Sequence, residues 1–172
     1  MFNHKVSRQT KTRGPDSARA GALLLQDQRP LLDEQTGFIN HPPGSPIRFS
    51  PVDDSRHTRL DDIPADPHFG LIFHSEVYIK PGQLLEVTIS LPDSTEMFIG
   101  RVVLIRRHSD HYEIGFCLTG TEAASRLRIV EQICHIETYM RQKKFTDGPY
   151  SCNRDRLTRE WIAAYAAKVP TL

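Results

Sequence analysis

The alternation of apolar and polar residues is clearest between residues 84 and 118, where its period of two is typical of β-strands. Residues 100–107 and 112–118 are two β-rich runs joined by the polar sequence Arg107-His108-Ser109-Asp110. They predict a β-hairpin whose first strand is buried on both faces near its start. The apolar positions of residues 84–91 predict a further strand, with one face formed by Leu85, Val87, Ile89 and Leu91.

Proline and glycine divide the preceding segment into shorter strands. The pattern predicts strands over residues 47–50, 57–62 and 70–74, while Pro81-Gly82 predicts a type II turn before residue 84. Because no helical pattern separates these strands, we expect a mainly β fold, with an antiparallel β-barrel or sandwich rather than a parallel sheet.

After residue 118 the apolar positions change to helical spacing. A helix is expected to begin near Thr119 or Thr121, with Thr119 and Glu122 as a capping box, and to end at Asp147-Gly148-Pro149. One face of this helix is predicted from Leu127, Val130 and Cys134, and an adjoining stripe from Ile129, Ile133, Ile136 and Met140.

A last helix is expected after Ser151 or Asn153, carrying Leu157, Trp161 and Tyr165. The predicted organisation is a flexible arm over residues 1–36, a barrel over 37–120 and a helical extension over 121–172. The two helices offer a surface for a protein partner, and its candidate residues are Ile136, Met140, Trp161 and Tyr165.

Composition narrows the class of protein. The 172 residues are 38% hydrophobic and 25% charged, which is typical of a soluble domain, and the net charge of +1 gives no reason to expect DNA or RNA as a partner. No apolar run is long enough to span a bilayer, so no membrane insertion is expected. We interpret Cys117, Cys134 and Cys152 as reduced thiols of a cytoplasmic protein.

The order and spacing of several short motifs resemble the PilZ domain of bacteria, and the tail resembles a helical extension of one PilZ subgroup. The motifs are Phe38-Ile39-Asn40-His41-Pro42, Pro81-Gly82, Gly100-Arg101-Val102-Val103 and Tyr112-Glu113-Ile114-Gly115-Phe116, with residues 129–137 and 160–166 in the tail. The resemblance implies a six-stranded barrel and a role in cyclic di-GMP signalling, in processes such as motility and biofilm formation.

The family binds cyclic di-GMP through an Arg-x-x-x-Arg motif and an [Asp/Asn]-x-Ser-x-x-Gly motif. In this sequence Thr36 and Asn40 stand at the two arginine positions. The best match to the second motif starts at Asp62, but it has Pro64 at the serine position, and its glycine, Gly70, comes later than the motif requires. Guanidinium groups bind phosphates through paired charge-assisted bonds, which a hydroxyl and an amide do not replace. We therefore expect weak or no nucleotide binding and a non-enzymatic adaptor that acts by protein contacts.

Two alternatives stay open. A non-standard cyclic di-GMP site could recruit cations, for which the candidates are Arg13, Arg19, Arg29 and Arg101. An unrelated metal-binding or small-ligand barrel would depend on His41, His57, His68 and His74, but their spacing matches no zinc motif, so neither a metal nor another cofactor is expected. No nucleophile–base motif suggests an enzyme.

Overall fold

The computed structural model describes residues 30–52, 69–118, 120–148 and 153–165, which form one six-stranded sheet followed by two helices. The strands lie in the order β1-β3-β6-β5-β4-β2 across the sheet. Their bounds are Ile39–Asn40 (β1), Ile47–Pro51 (β2), Gly70–Ser75 (β3), Leu84–Ser90 (β4), Thr95–Arg107 (β5) and Tyr112–Leu118 (β6).

The prediction of a fully antiparallel closed barrel is wrong for the described residues. The two-residue strand β1 pairs in parallel with β3, so the sheet is mixed, and β1 and β2 form its two edges without pairing to each other. The reason lies in β1, which has only two residues and pairs with β3, so that it offers no strand to close the sheet against β2. The predicted strand over residues 57–62 lies outside the described residues.

The strands expected from alternation are confirmed, including the hairpin of β5 and β6. The type II turn is confirmed as well, since Gly82 has a φ of 81° and the amide of Gln83 donates to the carbonyl of Lys80 at 3.1 Å. A β-bulge at Val103 interrupts the pairing of β5 with β6. The bulge turns Val103 outward, while its neighbour Val102 enters the core.

The helix α1 spans Thr121–Asp147, and α2 spans Arg154–Tyr165. The expected capping box is wrong, because the N-cap residue is Gly120 and no side chain caps the helix. The buried face of α1 is confirmed at Leu127, Val130 and Cys134, which complete the core formed by the sheet. Asn153 caps α2, as its side-chain oxygen accepts from the amide of Arg156 at 3.0 Å.

Residues 30–36 pack against this body. Leu31 and Leu32 contact the main core, and Leu32 forms an isolated bridge with Ile39. Cys117 and Cys134 are buried and not joined in a disulfide. In the part of the chain that the structure describes, neither helix has the length and apolarity needed to cross a membrane.

Candidate functional site

A cleft of about 430 Å³ lies between the segments that flank β1 and the two helices. Residues 30–32 and the segment after β1 form one wall, and the two helices form the other. The residues that define its character are Leu31, Pro42, His135, Tyr139, Trp161 and Tyr165. The cleft is therefore mainly aromatic and aliphatic, with a few polar groups.

A buried ion pair joins the sheet side of this cleft to α1. Nδ1 of His41 lies 2.9 Å from Oε1 of Glu131, and the side chain of Glu131 has no solvent exposure. Nε2 of His41 lies 3.2 Å from the carbonyl oxygen of Ser45. Because a carbonyl only accepts hydrogen bonds, Nε2 carries a proton and donates to Ser45.

The same geometry favours a doubly protonated His41. Burial lowers its pKa, but the charge of Glu131 and the hydrogen bonds to Glu131 and Ser45 outweigh burial, so that the pKa of His41 lies above 6.5. The pair is an imidazolium and a carboxylate held away from water. Oε2 of Glu131 accepts no hydrogen bond from any described residue, so the pair remains incompletely satisfied.

His135 has the opposite protonation. Its Nε2 donates to the backbone oxygen of Asn40 at 2.8 Å, and its ring stacks near Trp161 with centroids 6.3 Å apart. Burial lowers the pKa of His135 below its ordinary value. A neutral imidazole here fixes α1 to β1 and forms part of the wall of the cleft.

His41, Glu131 and Cys134 bring potential metal ligands within 4.8 Å of one another. The donor set fits a metal poorly, because both ring nitrogens of His41 are already engaged. Burial, followed by the charge of Glu131, raises the pKa of Cys134 to about 12, so its sulfur is a thiol rather than the thiolate that binds metals. We interpret this group as structural.

The residues at the positions of the family's arginines are used within the fold. The hydroxyl of Thr36 donates to Asp33 at 2.7 Å, and the side-chain amide of the buried Asn40 donates to the carbonyl of Pro30 at 2.9 Å. Gly70 lies in β3, where a Cβ atom would fall 2.5 Å from the ring of Phe38. Asp62 and Pro64 lie outside the described residues.

Arg101 is the one candidate cation that lies among the described residues. Arg101 donates from Nη1 to the carbonyl of Gly82 at 3.0 Å, near the turn before β4. Arg106 makes a bidentate pair with Asp33, at 2.7 and 2.8 Å, which neutralises its charge. Arg13, Arg19 and Arg29 lie outside the described residues.

The predicted partner surface needs a correction at Trp161, which is only 4% exposed because it packs between His135 and Tyr165. Ile136 and Met140 are half-buried, and Tyr165 is 38% exposed. Ile129, which belongs to the predicted stripe of α1, is exposed, and sequence reasoning missed Phe145 and Ile162 as further exposed apolar residues of the two helices.

Sequence reasoning also missed Glu131. The position of Glu131 in the sequence could have revealed it, because it lies four residues after Leu127 on the buried helix face that also contains Cys134. An acidic residue within an apolar helical stripe requires a buried partner, which the structure identifies as His41.

Comparison of the sequence with models of protein families gives no match, and comparison with curated proteins gives none either.

Proposed function

We propose that this chain is a non-enzymatic, cytoplasmic PilZ-like module of bacterial cyclic di-GMP signalling that acts by protein contacts through its two helices. One observation carries the proposal. Thr36 and Asn40, at the positions where the resemblance expects two arginines, are both committed to hydrogen bonds within the fold. These hydrogen bonds support the view that the two positions serve the fold rather than a phosphate-binding fork.

The energetic consequence is large. Each hydrogen bond to a charged group contributes about 1.5–3 kcal/mol. Losing two of them weakens binding by more than roughly a hundredfold, since about 1.4 kcal/mol corresponds to a tenfold change in Kd. Micromolar binding of cyclic di-GMP would then fall beyond ordinary detection. The nearby cation Arg106 offers no replacement, because Asp33 holds both of its terminal nitrogens.

The helical pair supports a defined kind of partner. The cleft accepts a large apolar side chain, since Trp161, Tyr165 and Pro42 line it and His41 is neutralised by Glu131. From residue 141 onward the described helices carry the cations Arg141, Lys143, Lys144, Arg154, Arg156 and Arg159. Carboxylates compensate three of them, in the pairs Lys143–Asp147, Arg154–Glu137 and Arg156–Glu160, and the remaining charge of this end of the helices is positive. The favoured partner is therefore a protein segment that presents one large apolar residue among acidic residues.

Isothermal titration with cyclic di-GMP tests the nucleotide part. The full chain, titrated to about 100 μM, is expected to give no binding heat. A Kd at or below about 10 μM would contradict the proposal. The triple variant R13A/R19A/R29A then tests the alternative, because only a site built from these cations would lose binding in it.

Photo-crosslinking tests the surface. A photoreactive residue in place of Ile162 is expected to crosslink a partner segment rich in Asp and Glu, and the same residue in place of Val77 serves as the control. Both side chains are exposed, at 49% and 59%, but Val77 belongs to the sheet region. Equal crosslinking from both positions, or none from position 162, would contradict the proposed surface.

A further inference from the structure

Four titratable side chains gather at the end of the sheet where the β5–β6 hairpin turns. His74 lies on β3 directly opposite Glu113 of β6, while His108 and His111 lie in the turn. The amide of His108 donates to the carbonyl of His111 at 2.9 Å, which closes the turn. Strand register and turn geometry therefore bring together residues that are far apart in sequence.

The distances are short enough for shared coordination. One ligand atom from each of His74, His111 and Glu113 lies within 4.8 Å of the other two. Nε2 of His108 lies 3.2 Å from Oε2 of Glu113, and the rings of His108 and His111 stack with centroids 4.6 Å apart. Tetrahedral zinc with bonds of about 2.0–2.1 Å separates its ligands by roughly 3.3 Å, and the metal lies close to the plane of each imidazole that binds it. Binding therefore requires the ligand atoms to move closer together and the rings of His74 and His108, which pack against the ring of His111, to rotate.

A second observation points to a ligand for His111. Its Nδ1 lies 2.7 Å from Oδ1 of Asp110, an arrangement in which the ring donates to the carboxylate. In the tautomer with its proton on Nδ1, the ring has a lone pair on Nε2, which is screened from solvent and has no hydrogen-bond partner among the described residues. A carboxylate that orients a histidine through its other nitrogen is the usual outer-shell feature of metal sites.

Neighbouring charges permit a cation here. Arg106 comes within 3.6 Å of Oε2 of Glu113, but Asp33 already compensates its charge. Imidazole nitrogens with one carboxylate oxygen favour zinc and similar transition ions, whereas magnesium and calcium prefer all-oxygen sites.

We propose that His74, His111 and Glu113 bind a divalent transition-metal ion of the zinc class, with His108 available as a fourth ligand and Asp110 orienting His111. This site is separate from the cleft under the helices, and it requires neither nucleotide binding nor a protein partner. The bound ion would link β3 to the β5–β6 turn and so stabilise this end of the sheet.

Isothermal titration of the metal-free full chain with zinc chloride tests the site. One ion per chain is expected to bind with a Kd at or below about 10 μM, while magnesium gives no heat. H111Q and H74Q should each weaken zinc binding at least about tenfold. The matched control H57Q/H68Q, which removes two histidines outside the described residues, should bind as the unaltered chain does.

Three results would overturn the proposal: no zinc binding up to about 100 μM, unchanged binding by H111Q, or loss of binding in the H57Q/H68Q control. If H111Q fails to fold, the visible spectrum of Co²⁺ bound to the unaltered chain identifies the ligands instead. Its visible spectrum is expected to show nitrogen and oxygen ligands, and a thiolate charge-transfer band would place the metal on a cysteine instead.

Discussion

Two histidine groups at separate places in this fold use the same side chains differently. Beside the helices, His41 has both ring nitrogens engaged, one with Glu131 and one with Ser45. At the hairpin turn, His111 has one nitrogen held by Asp110, and the other has no partner among the described residues. The first arrangement is closed and stabilises the fold, whereas the second leaves a lone pair available.

The difference shows that proximity of histidine and carboxylate does not by itself indicate a metal site. Both groups bring ligand atoms within 4.8 Å of one another. The two groups differ in how many ring nitrogens of the histidine have a hydrogen-bond partner. A metal can bind only where one nitrogen has none. The substitutions below test that distinction, beginning with the largest expected effect.

The variant H41A should lower the free energy of unfolding by about 3–5 kcal/mol, because it leaves the carboxylate of Glu131 buried and unpaired. Urea denaturation followed by circular dichroism measures this change. The double variant H41Q/E131Q is the control, since it replaces both charges by neutral hydrogen-bonding groups and should lose much less. An equal loss of unfolding free energy in the two variants would show that the destabilisation of H41A does not come from the unpaired charge of Glu131.

The variant D110A should weaken zinc binding about 10- to 100-fold, because His111 would no longer be held in the tautomer that presents Nε2. Titration calorimetry with zinc measures the effect. The Asp110 side chain is 81% exposed, so the variant should keep its fold, and unfolding midpoints without metal provide the control. An unchanged affinity of D110A for zinc would show that Asp110 does not orient His111 for metal binding.

The stability that the His41 pair contributes should depend on pH. Because the pKa of His41 is raised by folding, the contribution is complete below about pH 6.5 and is lost as pH rises through the folded pKa. Each unit of pKa difference corresponds to about 1.4 kcal/mol. The advantage of the unaltered chain over H41Q/E131Q, from denaturation at several pH values, should therefore shrink towards high pH. An advantage that grows with pH would contradict the assignment.

The variant D33A should cost about 2 kcal/mol at neutral pH, since it removes the partly exposed bidentate pair with Arg106 and the hydrogen bonds that Asp33 accepts from the amide and the hydroxyl of Thr36. The hydrogen bond to Arg106 holds the pKa of Asp33 well below its usual range. Its contribution is therefore complete above about pH 4 and declines as the solution becomes more acidic. Denaturation at pH 7 and near pH 2.5 measures both effects, and a difference between the two chains that increases in acid would contradict the account.

The sequence was sufficient for elements whose signal is local. Alternation located β4 and the β5–β6 hairpin, and helical spacing located α1 with its buried Leu127 and Val130. The parallel strand β1 could not be predicted in this way, because two residues have no period and pair with β3 only through tertiary contacts. That pairing is also why a closed antiparallel barrel was the wrong expectation.

The same limit applies to the sites. His108 lies in the predicted turn and His111 directly after it, so their proximity to Glu113 follows from the hairpin. The approach of His74 depends on the register of β3 against β6, and the pairing of His41 with Glu131 joins residues 90 positions apart. Spacing rules for zinc motifs describe ligands close in sequence, and for that reason they do not detect a site assembled from three separate segments.

The most direct test of the contrast between the two groups is a ¹⁵N-detected NMR spectrum of the histidine rings, recorded with and without zinc. Near pH 6.5, His41 should have both nitrogens protonated. His111 should carry its proton on Nδ1, where Asp110 accepts it, and its Nε2 signal should move on addition of zinc while the signals of His41 stay in place. If His111 instead carries its proton on Nε2, or if zinc shifts His41 and leaves His111 unchanged, the distinction between a closed and an open histidine group is wrong.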